Sequence, residues 1–239
     1  MRRIAFAFCL IIIMEGVGPM FSAQSLKVNE IIEKHIAALG GRAAFTKVRS
    51  RRYEGTIKTQ GLQGKILSVV VPNKSYQLVD LGPVKQEIGF DGKVGWRKDR
   101  SGITILTGDE LQQSRENAIF NRILRYNDKD VFAEVKLLGQ EKIDGKDAYA
   151  VEYTLKSGNK WTSYYDAETF FEIKSVTDVV IQSTKLKREV SAEDHRKVEG
   201  ILFPFKIKQV TPVNQVEIII DRYILNGEVD EKIFAAPSQ

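Results

Sequence analysis

Sulfur is almost missing from this sequence of 239 residues, which holds one cysteine and three methionines. They are Cys9, Met1, Met14 and Met20, all at the extreme N-terminus. The chain beyond residue 23 therefore has no route to a disulfide, a thiolate nucleophile, a cysteine-ligated zinc or an iron–sulfur cluster. Proline is scarce, with six residues, and no triplet repeats, which excludes a collagenous or linker-dominated chain. Neither sign of charge dominates: 36 Lys+Arg stand against 31 Asp+Glu, well interspersed. So mild an excess argues against a nucleic-acid partner. At 43% hydrophobic and 28% charged residues, the composition is that of a globular protein rather than a disordered tail. A chain of this length buries roughly 70–75% of its unfolded surface and needs no metal or disulfide staple.

What is present begins with an unusual N-terminus. Arg2 and Arg3 precede an apolar run from Ile4 to Met14, followed by Gly16, Gly18, Pro19 and then Ser22-Ala23-Gln24. A short basic region, an apolar stretch and a small residue near a cut point form the pattern of a secretory signal peptide. The run is well short of the ~20 residues that a permanent span requires. Residues 1–23 are expected to be a leader cleaved after Ala23, with 24–239 as a single exported domain. Cleavage removes Arg2, Arg3 and Glu15, lowering the +5 net charge by one. It also removes every sulfur atom. An exported protein of this size without disulfides fits a bacterial periplasm better than a eukaryotic extracellular space.

Two segments have helical spacing. Val28, Ile31, Ile32, Ile36 and Leu39 form a stripe over 28–39, with Glu30, Glu33 and Lys34 off it and Gly40-Gly41 as a stop. Leu111, Ala118, Ile119 and Ile123 form a looser stripe over 109–125, with Asp109 as N-cap. Nearly everything else alternates with period two. Tyr53, Gly55 and Ile57 share one parity; so do Leu67, Val69 and Val71. Asp91-Gly92 is a hairpin signal between Ile88/Phe90 and Val94/Trp96, and Asp144-Gly145 is a second, ahead of Tyr149, Val151, Tyr153 and Leu155. About ten or eleven strands of ordinary length follow from such patterns, and short turns make neighbours antiparallel. The expected fold is mainly β (α+β): one curved antiparallel sheet forming an incomplete β-barrel, covered by helices. A sheet of so many strands must curl or close to manage its edges.

Catalytic signatures are lacking. His35 and His195 are far apart and belong to no metal-binding spacing, and no Gly-x-Ser-x-Gly elbow or phosphate-binding glycine loop occurs. His35 falls on the first helical stripe, as a boundary histidine would. Asp128 and Asp130 lack the glycine and glutamate of a calcium loop and are expected to cap a turn. Glu87, Asp91, Asp166 and Asp221 are spread over different strands, so no carboxylate pair is defined. Neither a catalytic residue, a metal ligand nor a cofactor is assigned. What stands out instead is a surplus of apolar side chains on alternating strand positions. Tyr53, Ile57, Phe90, Trp96, Tyr153, Trp161, Phe171, Phe203, Phe205 and Ile218 are the candidates to line an apolar cavity, with Ile32 of the first helix as part of a movable cover.

Several motifs occur in a familiar order. Leu39-Gly40-Gly41-Arg42 leads to Tyr53-Glu54-Gly55, then Val71-Pro72-Asn73-Lys74-Ser75-Tyr76 and Phe90-Asp91-Gly92-Lys93-Val94-Gly95-Trp96. Tyr165-Asp166-Ala167-Glu168-Thr169 and Gly200-Ile201-Leu202-Phe203-Pro204 follow. Together they resemble the LolA/LolB-like superfamily of bacterial outer-membrane lipoprotein-sorting proteins. The resemblance implies an incomplete barrel that binds lipid or lipoprotein acyl chains and carries them across the periplasm, with partners at the inner or outer membrane and without cofactor or catalysis. Arg51 and Arg52 are candidates for the strand arginine that those carriers use near the lid. A periplasmic lipid-sensing or protein-interaction module without a transport role is the alternative, and an envelope enzyme with a dispersed site is a third.

Overall fold

The computed structural model describes residues 26–181 and 184–238; the expected leader lies outside them. Thirteen strands form one sheet. In chain order they are β1 (Arg51–Thr59), β2 (Leu62–Val71), β3 (Lys74–Asp80), β4 (Lys85–Phe90), β5 (Gly95–Asp99), β6 (Gly102–Ile105), β7 (Phe132–Ile143), β8 (Lys146–Leu155), β9 (Lys160–Asp166), β10 (Glu172–Ile181), β11 (Thr184–Val198), β12 (Ile201–Thr211) and β13 (Asn214–Leu225). The helices are α1 (Val28–Ala38), α2 (Arg42–Phe45) and α3 (Gly108–Asn117), with short 3-10 helices at Arg122–Arg125 and Glu231–Phe234. No helix among the described residues is long and apolar enough to cross a membrane.

The strand order is β6-β5-β4-β3-β2-β1-β13-β12-β11-β10-β9-β8-β7. Two antiparallel meanders are thus sewn together by the β1·β13 pair, which brings the two ends of the sheet-forming chain side by side. The sheet is curved and does not close into a barrel: β6 and β7 stand at its two edges. Local chemistry explains many of the joints. Asp144 and Gly145 both take positive φ, at 49° and 83°, the geometry of the two-residue hairpin their sequence signals. At the β1·β13 seam a bulge falls between Glu54 and Gly55. A Cβ on Gly55 would stand 2.1 Å from the Ile219 carbonyl oxygen, so only glycine lets the two strands approach there.

The concave face carries the core. Helix α1 lies over β7 to β9, where Ile31, Ile32 and Ile36 are completely or almost completely buried among Phe132, Val151, Tyr153, Leu155 and Tyr165. The stripe over 28–39 therefore forms the expected helix and packs into continuous core. Helix α2 lays Phe45 against Ile201, Phe203 and Leu225, and Leu111 of α3 packs over Gly95.

The helix expected over 109–125 is shorter. Its N-cap is Thr107, and α3 stops at Asn117. Asn121 then takes a left-handed conformation, φ 48°, and its amide donates to the Phe45 carbonyl oxygen, which breaks the stripe and starts a separate 3-10 turn. The loose spacing of Leu111, Ala118, Ile119 and Ile123 belongs to two pieces turned against different neighbours.

Candidate functional site

Residues directly opposite each other in an antiparallel ladder share a face, so the registers sort the candidate residues. On the concave face Tyr53 stands opposite Tyr223 and Ser68, while Ile57 stands opposite Ile218 and Gly64, and Ile218 opposite Ile207. The Phe203 ring stacks on Tyr223 at 4.7 Å, Phe205 meets it edge-on at 5.3 Å, and Tyr53 lies 5.8 Å away. Tyr53, Ile57, Phe203, Phe205 and Ile218 are thus brought together as one floor across β1, β13 and β12. Tyr53, Tyr223, Ile207 and Val216 within it are half-buried. That is the less tightly covered part of the concave face.

A second group forms beneath α1. Tyr153 stacks on Trp161 at 4.8 Å, and both lie 5.9 Å from Phe132. Ile32 packs into the same cluster, with Trp161 at its half-buried margin. Phe90 is buried on the concave side, opposite Ser75 and Gly95, near α3 and apart from both groups. Phe171 is half-buried just ahead of β10, with the His195 ring 5.1 Å away, and joins neither group.

Trp96 is a correction. The β4–β5 loop runs from Asp91 to Val94, and the Asp91 carboxylate accepts from the Lys93 and Val94 amides. Phe90 consequently pairs with Gly95, and Trp96 takes the parity of Gly89, on the opposite face from Tyr53 and Ile57. There its indole Nε1 donates to the Phe234 carbonyl oxygen at 2.8 Å, fixing the C-terminal 3-10 turn to the outside of the sheet.

Sequence reasoning names Arg51 and Arg52 together as candidate strand arginines, and assigns no role to Arg122 or Glu172 on the concave side. Arg51 shares the parity of Tyr53 and Ile57, and its guanidinium lies 6.0 Å from the Phe203 ring. Arg52 points to the other face, into an ion pair with Glu54, which also holds Arg222. Parity alone could have separated the two arginines. Arg122 sits 4.2 Å over the Trp161 ring, facing Glu116 and Glu172. Burial raises the Glu172 carboxyl above its ordinary range, although Ser175 and Ser163 hydrogen-bond to it. The Tyr153 and Tyr165 hydroxyls meet at 2.7 Å. Desolvation lowers His35 to about 4; its Nδ1 donates to the Phe170 carbonyl oxygen at 2.8 Å, so the ring is neutral at pH 7. Asp128 accepts from the Asp130 amide and pairs with Arg125, as a turn-capping aspartate does.

Two clefts lie away from this face. One, of about 910 Å³, is lined by Lys47, Arg49, Ser50, Lys74, Asn226 and Glu231 among others. The other, of about 360 Å³, lies between Trp96 and the C-terminal segment. Among the described residues, no three His, Cys, Asp or Glu side chains converge as a metal site.

No family model and no curated protein matches the chain. Solved structures do match in fold. A LolA superfamily protein from Nitrosomonas europaea superposes with a TM-score of 0.58 at 17% identity, covering 89% of this chain and 99% of that one. A DUF1329 family protein from Desulfovibrio piger gives 0.56 at 14% identity, covering 88% and 98%. A domain named for outer-membrane lipoprotein sorting, from Vibrio parahaemolyticus, gives 0.52 at 12% identity, covering 87% and 95%. At such identities the likeness is one of fold, and the fold is LolA-like.

Proposed function

We propose that this chain is an exported envelope protein that binds acyl chains of lipids or lipoproteins in the hollow of its half-barrel and carries them through the periplasm, without catalysis or cofactor. Residues 1–23 are its cleaved leader, and 24–239 work as one domain. The observation that carries the reading is the aromatic and aliphatic floor on the concave face, where Tyr53, Tyr223, Ile207 and Val216 are half-buried rather than sealed around Ile57, Phe205 and Ile218. Such a surface takes an apolar ligand and gives it up again, because water reaches part of it. The LolA superfamily and lipoprotein-sorting designations of the Nitrosomonas and Vibrio proteins agree with this role.

A sensing or scaffolding module would call for a contiguous apolar patch outside the hollow. The most exposed large apolar side chains described are Val84, Ile105, Leu138 and Val213, which sit at separate turns and edge strands. That distribution favours the carrier. The test is purification from an envelope extract without detergent, followed by native mass spectrometry. A retained acyl-bearing species supports the reading. A ligand-free protein that also takes up no acyl probe refutes it.

A further inference from the structure

Arg51 stands at one end of that floor. It keeps part of its surface accessible although protein surrounds it, which is the position of a group that lines a hollow. Among the described residues it makes no ion pair, whereas Arg52, Arg196 and Arg222 each hold a carboxylate. Its near neighbours are Tyr53, Tyr223 and the Phe203 ring. Neither phenol supplies an anion. Tyr223 donates to the Pro204 carbonyl oxygen at 2.9 Å, Tyr53 is engaged with Ser68 and Gln77, and burial raises both above the ordinary tyrosine range. A guanidinium does not deprotonate, so enclosure without a counter-charge costs free energy that an incoming anion relieves.

From Arg51 the concave residues of β1 continue through Tyr53 and Ile57 to Thr59. At about 3.3 Å per residue that track is roughly 26 Å long. It is apolar along its middle, with Ile57, Ile66, Ile218 and Phe205 in one cluster. Arg51 gives one end a cation without an ion pair among the described residues, whereas Arg196, 4.6 Å over the Phe205 ring, already has Asp194 as its counter-charge. We propose that the hollow selects an amphiphile with a single anionic end group, a carboxylate or phosphate ester on a long chain, with Arg51 binding the anion and the floor taking the chain. The inference rests on the acyl-binding reading above and names which acyl compounds qualify.

The experiment compares dodecanoate, dodecanol and acetate on the full chain by displacement of a fluorescent probe. Dodecanoate is expected to bind roughly tenfold to a hundredfold tighter than dodecanol, the usual effect of one charge-assisted contact. Arg51→Met is expected to remove that gap while leaving dodecanol affinity within about twofold, and Arg51→Lys to restore part of the gap. Arg51→Gln serves if the methionine variant does not fold, and the acid-against-alcohol comparison on the unaltered protein needs no variant. Equal binding of acid and alcohol overturns anion selection and leaves acyl binding standing. A gap that persists in a folded variant overturns Arg51 as the anchor. Acetate competing as well as dodecanoate overturns the amphiphile in favour of a small-anion site. If no chain binds at all, the acyl reading falls and takes this inference with it.

Discussion

Replacing Ile32 by alanine decides whether α1 is part of the core or a removable lid. Ile32 is fully buried, and Val151, Tyr153, Tyr165 and Phe132 around it are each 3% exposed or less. Deleting its outer carbons loses transfer free energy and leaves a cavity, which in proteins costs about 2–5 kcal/mol. The surroundings are poorly able to collapse into the space, because Tyr153 is stacked on Trp161 and tied to Tyr165 through the hydroxyls. The upper half of that range, about 3–5 kcal/mol, is therefore expected. For a domain of this size it corresponds to a melting point lower by about 6–20 °C. Urea titration followed by far-ultraviolet circular dichroism, with a parallel thermal scan, measures both. A loss below about 1 kcal/mol with an unchanged cooperative transition would refute the argument. In that case α1 adds little to the core and acts as a detachable cover. Ile32→Asp sharpens the test, since an unpaired carboxylate there is expected to exceed the marginal stability of the whole domain.

Three further outcomes follow from named contacts. A long-chain acyl probe is expected to leave Trp96, on the outer face, unaffected, so Trp161→Phe, which leaves Trp96 as the one tryptophan of the sequence, shows no ligand response; a response there would place the ligand on the outer face. Gly89→Ala puts a Cβ 2.3 Å from the Trp96 indole, whose Nε1 is held by the Phe234 carbonyl oxygen. The ring must leave, at a cost of about 2–4 kcal/mol, and unchanged near-ultraviolet dichroism and melting would contradict that packing. His35 has its folded pKa lowered to about 4 from 6.5, so between those values the unfolded chain binds more protons. Its contribution is present above pH 6.5 and is lost as the pH falls to 4, by about 3 kcal/mol. Urea midpoints for the protein and for His35→Leu should converge over that window, and a constant difference from pH 7 to pH 4 rules the mechanism out.

Much of the fold is written locally. The α1 stripe repeats every three or four residues and ends at Gly40-Gly41, so it reads as a helix without knowledge of its partner. Asp144-Gly145 and the capping carboxylates of Asp91 and Asp166 form their turns from contacts within a few residues. Alternation along β1 and β8 likewise sorts Tyr53 with Ile57, and Val151 with Tyr153, as the core confirms. With so many short turns, a long antiparallel sheet had to follow, and its length required curvature. The same parity rule separates Arg51, on the Tyr53 face, from Arg52, two candidates that the resemblance alone left together.

Alternation divides a strand into two faces but does not say which one is inside. That choice came from tertiary pairing. The Asp91–Val94 loop sets Phe90 opposite Gly95 and so sends Trp96 outward, to a C-terminal turn distant in sequence. The stripe over 109–125 was split because Asn121 found the Phe45 carbonyl oxygen, which no local pattern announces. The sewing of β1 to β13 joins the first strand to the last and only then assembles Tyr53, Tyr223, Phe203 and Arg51. Sequence alone determined the period, the turns and the antiparallel class, because these depend on residues a few positions apart. The inward face, the half-buried floor and the unpaired guanidinium within it were decided by tertiary structure, because burial and charge pairing depend on neighbours that the chain brings together only when the sheet curls.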